Sequence, residues 1–199
     1  MKIKLSDHFT LRRLLRFTLP SMVMMIFTSI YSVVDGFFVS NFAGKTAFAA
    51  VNFIMPTLMM LGGVGFMFGT GGSALVAMRL GEKKQMEANQ IFSMLVYVSI
   101  VCGLALGILG IIFLPNIARA LGAEGEMLEQ CVLYGRIVLL ANAAFFLQME
   151  FQSFFITAEK PHLGLTITVA AGVTNMVLDA VFVGVLRWGL VGAAAATAL

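Results

Sequence analysis

The feature that most constrains this chain is the length of the runs between its charged residues. Four runs, residues 17–34, 46–78, 88–118 and 161–178, contain no Asp, Glu, Lys or Arg, and the shortest has 18 residues. A helix needs about 20 residues to cross the ~30 Å hydrocarbon core of a bilayer. Residues 130–157 are also apolar, apart from Arg136 and Glu150. The sequence therefore predicts five complete membrane spans.

Composition supports lipid exposure of these segments. Only 12% of the 199 residues are charged and 60% are hydrophobic, whereas soluble domains carry about 25% charged residues. The runs are apolar on every face, while the strands of a membrane barrel alternate in polarity over about 10 residues. We therefore expect an all-α, polytopic membrane protein and no soluble fold.

We expect residues 1–16 to form a cytoplasmic or interfacial N-terminal segment and residues 17–199 to form one transmembrane bundle. The run after Arg187 has 12 residues and is too short to span. We therefore expect a sixth span that is truncated. The predicted spans are approximately 17–40, 50–78, 90–114, 130–157, 162–186 and, incomplete, 190–199.

The distribution of basic residues predicts the orientation, because Lys and Arg are retained on the cytoplasmic side. With the N-terminus inside, nine basic residues are cytoplasmic and four are external. This count favours a cytoplasmic N-terminus in the plasma membrane, and it explains the net charge of +3 without a nucleic-acid partner. The external ones are Lys45, Arg119, Arg136 and Arg187.

The motifs that resemble those of soluble enzymes each lack a required residue or structural context. Gly44-Lys45-Thr46 resembles the end of a phosphate-binding loop, but Val39 occupies the position of its first glycine. The glycine-rich stretch 62–72 lies in an apolar helix, where glycines allow close helix approach or bending. His8 and His162 lie at or beyond span ends, so no metal pair or Ser-His-Asp set can form. We predict neither an enzyme nor an organic cofactor.

Acidic residues inside the spans carry the functional argument. A charged side chain near the bilayer centre costs roughly 2.5–3.5 kcal/mol on insertion scales, so such residues usually face an interior and serve ions or protons. Asp35 lies 10 residues before Lys45, and Asp179 lies 8 residues before Arg187. Both are thus about 10–15 Å below the same outer edge. Glu150 either faces the interior or reaches the inner interface.

Spacing adds three neutral polar residues to the two aspartates. Tyr31 and Asn175 each lie one helical turn below an aspartate, and Thr197 lies 10 residues after Arg187 at a similar depth. Carboxylate, amide and hydroxyl oxygens suit a small hard cation such as Na+, and two neighbouring carboxylates can also hold a proton. The alternative is that each acid only caps a hydrogen-bond network between helices.

Pro20 permits two interpretations. It lies 15 residues before Asp35 near the inner end of the first span. It either bends this helix, because proline removes one backbone hydrogen bond, or simply starts it, where proline is well tolerated.

In order and spacing, several short motifs resemble those of the multidrug and toxic compound extrusion (MATE) transporters. The first span has Leu19-Pro20 followed by Asp35-Gly36. Arg79-Leu80-Gly81-Glu82 closes the second. The remaining motifs are Phe151-Gln152-Ser153-Phe154, Ala158-Glu159-Lys160-Pro161, Asn175 to Asp179, and Gly189 to Thr197.

This resemblance implies the N-terminal six-helix lobe of a twelve-helix transporter, with the C-terminal lobe of the same protein as its missing partner. It implies coupling to H+ or Na+ at Asp35, Asn175, Asp179 and Thr197, with Na+ as a possible metal at these four residues. Pro20 matches the bending proline, and Tyr31 and Gln152 are weaker matches in the surrounding polar network. The implied activity is antiport of amphipathic, often cationic organic compounds by alternating access.

Two other hypotheses stay open at this point. One is a flippase of lipid-linked saccharides in the same superfamily, which would need more cationic residues than the single Arg136 within a span. The other is a half-length membrane subunit that does not itself transport.

Overall fold

The structure, a computed structural model, describes residues 11–199, without the side chains of residues 12, 13, 16 and 17. Within this range the chain is helical and contains no strand, which confirms the predicted all-α class. The predicted N-terminal segment lies outside the described residues, except that residues 11–16 belong to the first helix. The helices are α1 (Leu11–Phe38), α2 (Lys45–Gly81), α3 (Gln85–Ala120), α4 (Gly125–Leu140), α5 (Asn142–Thr157), α6 (Pro161–Asp179) and α7 (Gly189–Ala198).

Four continuous helical segments are long and apolar enough to cross a membrane: Thr18–Ala43, Lys45–Gly81, Gln85–Ala120 and Pro161–Val185. Large apolar side chains on these helices are exposed, as lipid contact requires; Met60, for example, is 80% exposed. Helices α2 and α3 extend several residues past the predicted spans at both ends. Hydropathy marks the part inside lipid, whereas backbone hydrogen bonds continue into the polar boundary.

The fourth predicted span is bent, a feature that the sequence does not indicate. Its two halves, α4 and α5, meet at Ala141 with an angle of 59°. Neither proline nor glycine lies at the bend. The amide of Asn142, which is 5% exposed, donates a 2.9 Å hydrogen bond from Nδ2 to the backbone oxygen of Gly103 on α3. A contact with another helix thus fixes the start of α5.

Glycines on α2 and α3 let α5 pack between these two helices at backbone distance. A Cβ atom built on Gly69 would lie 2.9 Å from the Cα of Glu150, and one on Gly103 would lie 2.7 Å from the Cα of Ala143. Gly63 and Gly71, by contrast, have nothing within 4 Å of such an atom. Close helix approach is therefore confirmed as the role of part of the glycine-rich stretch.

A second close contact joins α1 to α6. A Cβ atom on Gly172 would lie 2.5 Å from the ring of Phe27 and 3.2 Å from the ring of Tyr31. Helix α7 packs against α4, and Gly192 of α7 lies against the backbone of Phe182. These contacts bring α1, α4, α6 and α7 together at the end of the bundle where α2 begins.

Candidate functional site

Asp35 and Asp179 face each other across the α1–α6 contact. Asp35 lies three residues before the end of α1, and Asp179 is the last residue of α6. Their carboxyl groups are close enough to interact directly. Asp179 is fully buried and Asp35 is half-buried. The structure therefore places together the two acids that the sequence put at equal depth.

The backbone changes its hydrogen-bonding pattern just after each aspartate. The π-helical segments Val39–Ala43 and Ala180–Val185 continue α1 and α6, and they pack against each other. Single π-helical turns inside α-helices are uncommon and occur often at functional sites. The paired acids thus lie where both helices leave regular α geometry.

The oxygens of the site lack donors. Asp35 Oδ1, both Asp179 oxygens and Asn175 Oδ1 are buried and have no hydrogen-bond partner among the described residues. No ion pair among the described side chains involves either aspartate. Two facing carboxylates without a cation repel each other, and a shared proton or a bound cation would relieve that repulsion. The arrangement is thus suited to taking up positive charge.

Tyr134 belongs to this site, although the sequence argument did not select it. It lies on α4, is 1% exposed, and interacts with Asp35, Asp179 and Thr197. Its hydroxyl has no partner within hydrogen-bond geometry among the described residues. The depth of Tyr134 in its helix could have indicated this. Tyr134 lies nine residues after the start of α4 at Gly125, or about 13 Å along the helix, which is similar to the depth predicted for the two aspartates.

Tyr31 and Thr197 complete what we call the polar cluster. Tyr31 interacts with Asp35 and with Tyr134. Thr197 on α7 donates a 3.0 Å hydrogen bond to the backbone oxygen of Ala193 and also interacts with Tyr134. Thr197 therefore joins the two acids through the tyrosine. The members of the polar cluster are Tyr31, Asp35, Tyr134, Asp179 and Thr197, with Asn175 included by its place one turn before Asp179 on α6 and its buried Oδ1.

Two other predicted residues lie apart from the polar cluster. Gln152 is on α5, which packs mainly against α2 and α3, and the structure describes no contact between it and the cluster. Pro20 is buried inside α1, nine residues after the helix begins at Leu11, so it does not start the helix. Fifteen residues, or about 22 Å of helix, separate Pro20 from Asp35.

The donor set is not that of a transition-metal centre. The residues that the structure describes contain no group of three or more His, Cys, Asp or Glu side chains able to hold a metal. The polar cluster supplies carboxylate, amide and hydroxyl oxygens only, which are ligands for a proton or a hard cation. Apolar helical spans around such a polar cluster define the class of integral membrane proteins with a polar site in the interior of the helix bundle.

The family follows from comparison with known proteins. Residues 20–181 match the family described as MatE, and the chain belongs to this family, as the sequence motifs predicted. Members of this family are transporters and not enzymes. The chain is therefore an integral, multi-pass membrane protein.

Curated relatives include the multidrug export protein MepA. The chain is 26% identical to MepA of Staphylococcus haemolyticus over 188 residues, which are 94% of this chain and 42% of the relative. It is 25% identical to MepA of Staphylococcus aureus strain MRSA252 over the same shares of both chains. The chain thus spans about two fifths of the length of these relatives.

Solved structures show the same fold. A MOP superfamily transporter from Pyrococcus furiosus superposes with a TM-score of 0.87 and 26% identity, over 92% of this chain and 40% of that one. A multidrug resistance MATE family transporter in an outward-facing conformation also gives a TM-score of 0.87, with 26% identity over 92% of this chain and 41% of its own. The chain has the architecture of the N-lobe, as predicted.

Proposed function

We propose that this chain is the ion-coupling lobe of a multidrug exporter that moves amphipathic, often cationic organic compounds outward in exchange for H+ or Na+. One observation carries the proposal. Asp35 and Asp179 face each other between α1 and α6 with buried oxygens that lack donors. The names of the MepA relatives support the substrate class, since those proteins are multidrug exporters.

Ion binding would act on the contact between α1 and α6. An ion at the two carboxyl groups removes their repulsion and lets the ends of the helices close on each other. Release restores the repulsion and favours a different arrangement of α1. A bound ion shifts the balance between two conformations only by the difference in its affinity for them. The π-helical segments that follow α1 and α6 beside the two acids depart from regular α-helical hydrogen bonding.

Pro20 gives α1 a second weak point, at the far end of the helix from Asp35. It has no N–H to donate to the carbonyl oxygen one turn earlier, so α1 bends there at lower cost than at other residues. We propose that closure around Asp35 and bending near Pro20 are coupled along α1. With the N-terminus cytoplasmic, the polar cluster lies toward the outer side of the plasma membrane.

The polar cluster contains no cationic side chain among the described residues, and Arg136 is exposed on α4. No feature of the structure therefore favours a pyrophosphate-bearing lipid as the substrate. The C-terminal lobe of the same protein is the proposed partner against which this lobe moves.

The test uses the chain joined to its C-terminal lobe and reconstituted in vesicles, with efflux of a fluorescent organic cation driven separately by proton and sodium gradients. Asp35→Asn and Asp179→Asn should each abolish gradient-driven efflux, because an amide has neither the titratable proton nor the negative charge of the carboxyl group. The gradient that drives efflux in the unmodified protein identifies the ion.

Matched controls come from neighbouring exposed residues. Ser32→Ala on α1 and Thr174→Ala on α6 alter exposed hydroxyls within one to two turns of the acids. Both should retain efflux. Full efflux by both asparagine variants, at normal expression, would refute the proposed coupling site.

A further inference from the structure

A second intramembrane carboxyl group lies well away from the polar cluster. Glu150 on α5 is 0% exposed, and so is Ser99 on α3, the polar side chain with which it interacts. The sequence left open whether Glu150 reaches the interface, and the structure buries it. On the α2 side the backbone of Glu150 lies directly against Gly69. Three helices thus enclose this acid.

The oxygens of this enclosed pair are unsatisfied. Neither Glu150 Oε1 nor Glu150 Oε2 nor Ser99 Oγ has a hydrogen-bond partner among the described residues in this conformation. A carboxylate removed from water without a cation or donors is strongly disfavoured. The neutral acid, unlike the carboxylate, can donate its own O–H to the serine oxygen.

Among the side chains that the structure describes, no charged one interacts with Glu150. Arg79 lies ten residues beyond Gly69 on α2, and Glu87 lies twelve residues before Ser99 on α3, which correspond to about 15 and 18 Å along the helices. Cys102, one turn from Ser99, has no described interaction with the acid. Other charged or titratable residues also lie on the helices around α5. They are Lys45, Tyr97, Arg119, Glu126, Glu129, Cys131, Tyr134, Arg136, His162 and Asp179.

We propose that Glu150 and Ser99 form a second proton-binding site within the membrane, in which Glu150 holds its proton while α5 stays packed between α2 and α3. A proton fits better than Na+, because one carboxyl and one hydroxyl supply too few oxygens for a hard cation, which takes about six. Proton release from this site requires α5 to separate from α2 or α3, so that water reaches the acid.

This inference does not rest on the export function proposed above. The polar cluster is built on α1, α4, α6 and α7, whereas the Glu150 site is built on α2, α3 and α5. The asparagine variants of the two aspartates therefore test a different site.

The distribution of glutamates makes a direct test possible. The chain has seven glutamates, and the six other than Glu150 are exposed. Carboxyl groups in contact with water are ionised at neutral pH. Infrared spectra of the full chain in lipid nanodiscs, with and without 13C-labelled glutamate, should show one protonated-carboxyl band at pH 7 that moves on labelling. Labelling of aspartate should leave this band in place.

The unmodified chain alone decides the question. Absence of any label-sensitive protonated-carboxyl band at pH 7 would show that Glu150 is ionised and would overturn the proposal. Loss of the band on addition of Na+ at constant pH would show a cation site and would also overturn it. These measurements do not depend on whether a variant folds.

Variants assign the band. Glu150→Gln should remove it, whereas Glu129→Gln, on the exposed surface of α4, should not. Ser99→Ala should retain the band at a shifted frequency, because it removes the hydroxyl to which the protonated acid donates in the proposed site. Asp35→Asn should leave its frequency unchanged. Persistence of the band in Glu150→Gln would refute the assignment.

Discussion

Gly69 provides the sharpest test of how the bundle is packed. A methyl group at this position would meet three atoms of α5, the Cα of Glu150 at 2.9 Å, the backbone oxygen of Met149 at 2.9 Å and Ser153 Oγ at 3.2 Å. Two of the three belong to backbone and cannot rotate away. Helix α2 must therefore move from α5 when Gly69 is replaced by alanine.

The control is Gly71 on the same helix, where nothing lies within 4 Å of an added Cβ atom. Replacing a helical glycine with alanine favours the helix by roughly 0.5–1 kcal/mol, and this gain is common to both variants. Overpacking costs about 1–3 kcal/mol and applies only to Gly69→Ala. The difference in unfolding free energy between the two variants is therefore the cost of overpacking, about 1–3 kcal/mol.

Thermal unfolding in detergent micelles measures this difference. Cys131 is 0% exposed, and its thiol donates a 3.5 Å hydrogen bond to the backbone oxygen of Ala50, so a thiol-reactive fluorophore reports loss of packing. At about 2–4 °C per kcal/mol for a chain of this size, Gly69→Ala should melt roughly 2–12 °C below Gly71→Ala. Equal melting temperatures, or a more stable Gly69→Ala, would refute close α2–α5 packing.

Two further predictions concern the polar cluster and the α2–α3 turn. Tyr134→Phe should slow ion-driven efflux by roughly tenfold, which is equivalent to about 1.4 kcal/mol for the loss of the hydroxyl group. The melting temperature should stay within a few degrees of that of the unmodified protein. Unchanged transport would show that Tyr134 is not part of the site. At the turn, a 2.8 Å hydrogen bond from Arg79 to Glu82 lowers the pKa of that carboxyl. Because the folded pKa is the lower one, the ion pair stabilises the protein above the ordinary Glu pKa, and this contribution is lost as the pH falls through the folded value. Arg79→Gln should reduce this acid-range dependence of the melting temperature, with Lys84 left as the remaining partner of Glu82 at 3.4 Å; an unchanged dependence would show that the Arg79–Glu82 pair contributes nothing.

The sequence was most informative about depth. Charge-free runs predicted the spans, because a charged side chain near the bilayer centre is costly. Counting residues from Lys45 and Arg187 placed Asp35 and Asp179 at one level, and a helix converts residue number into height at a fixed rise. The structure brings these two acids face to face.

The sequence was least informative about which neighbours each residue meets. Tyr134 joins the polar cluster because α4 packs against α7, and no local pattern encodes that contact. Gln152, selected by resemblance, lies on α5 and has no described contact with the cluster. The places of Tyr134 and Gln152 depend on how each helix is rotated about its axis and on which helix it packs against.

The glycines also show that the sequence does not indicate which neighbours a residue meets. Gly69 and Gly71 look alike in the sequence, yet one lies against the backbone of α5 and the other faces open space. The bend at Ala141 likewise depends on a hydrogen bond from Asn142 to α3 and not on a local helix breaker. By itself the sequence determined the all-α membrane class and predicted the spans and the height of each polar group, because these follow from local hydrophobicity and helical rise. Only the tertiary structure decided the bend, the close contacts, the place of Tyr134 and the enclosure of Glu150, because packing depends on residues far apart in the chain.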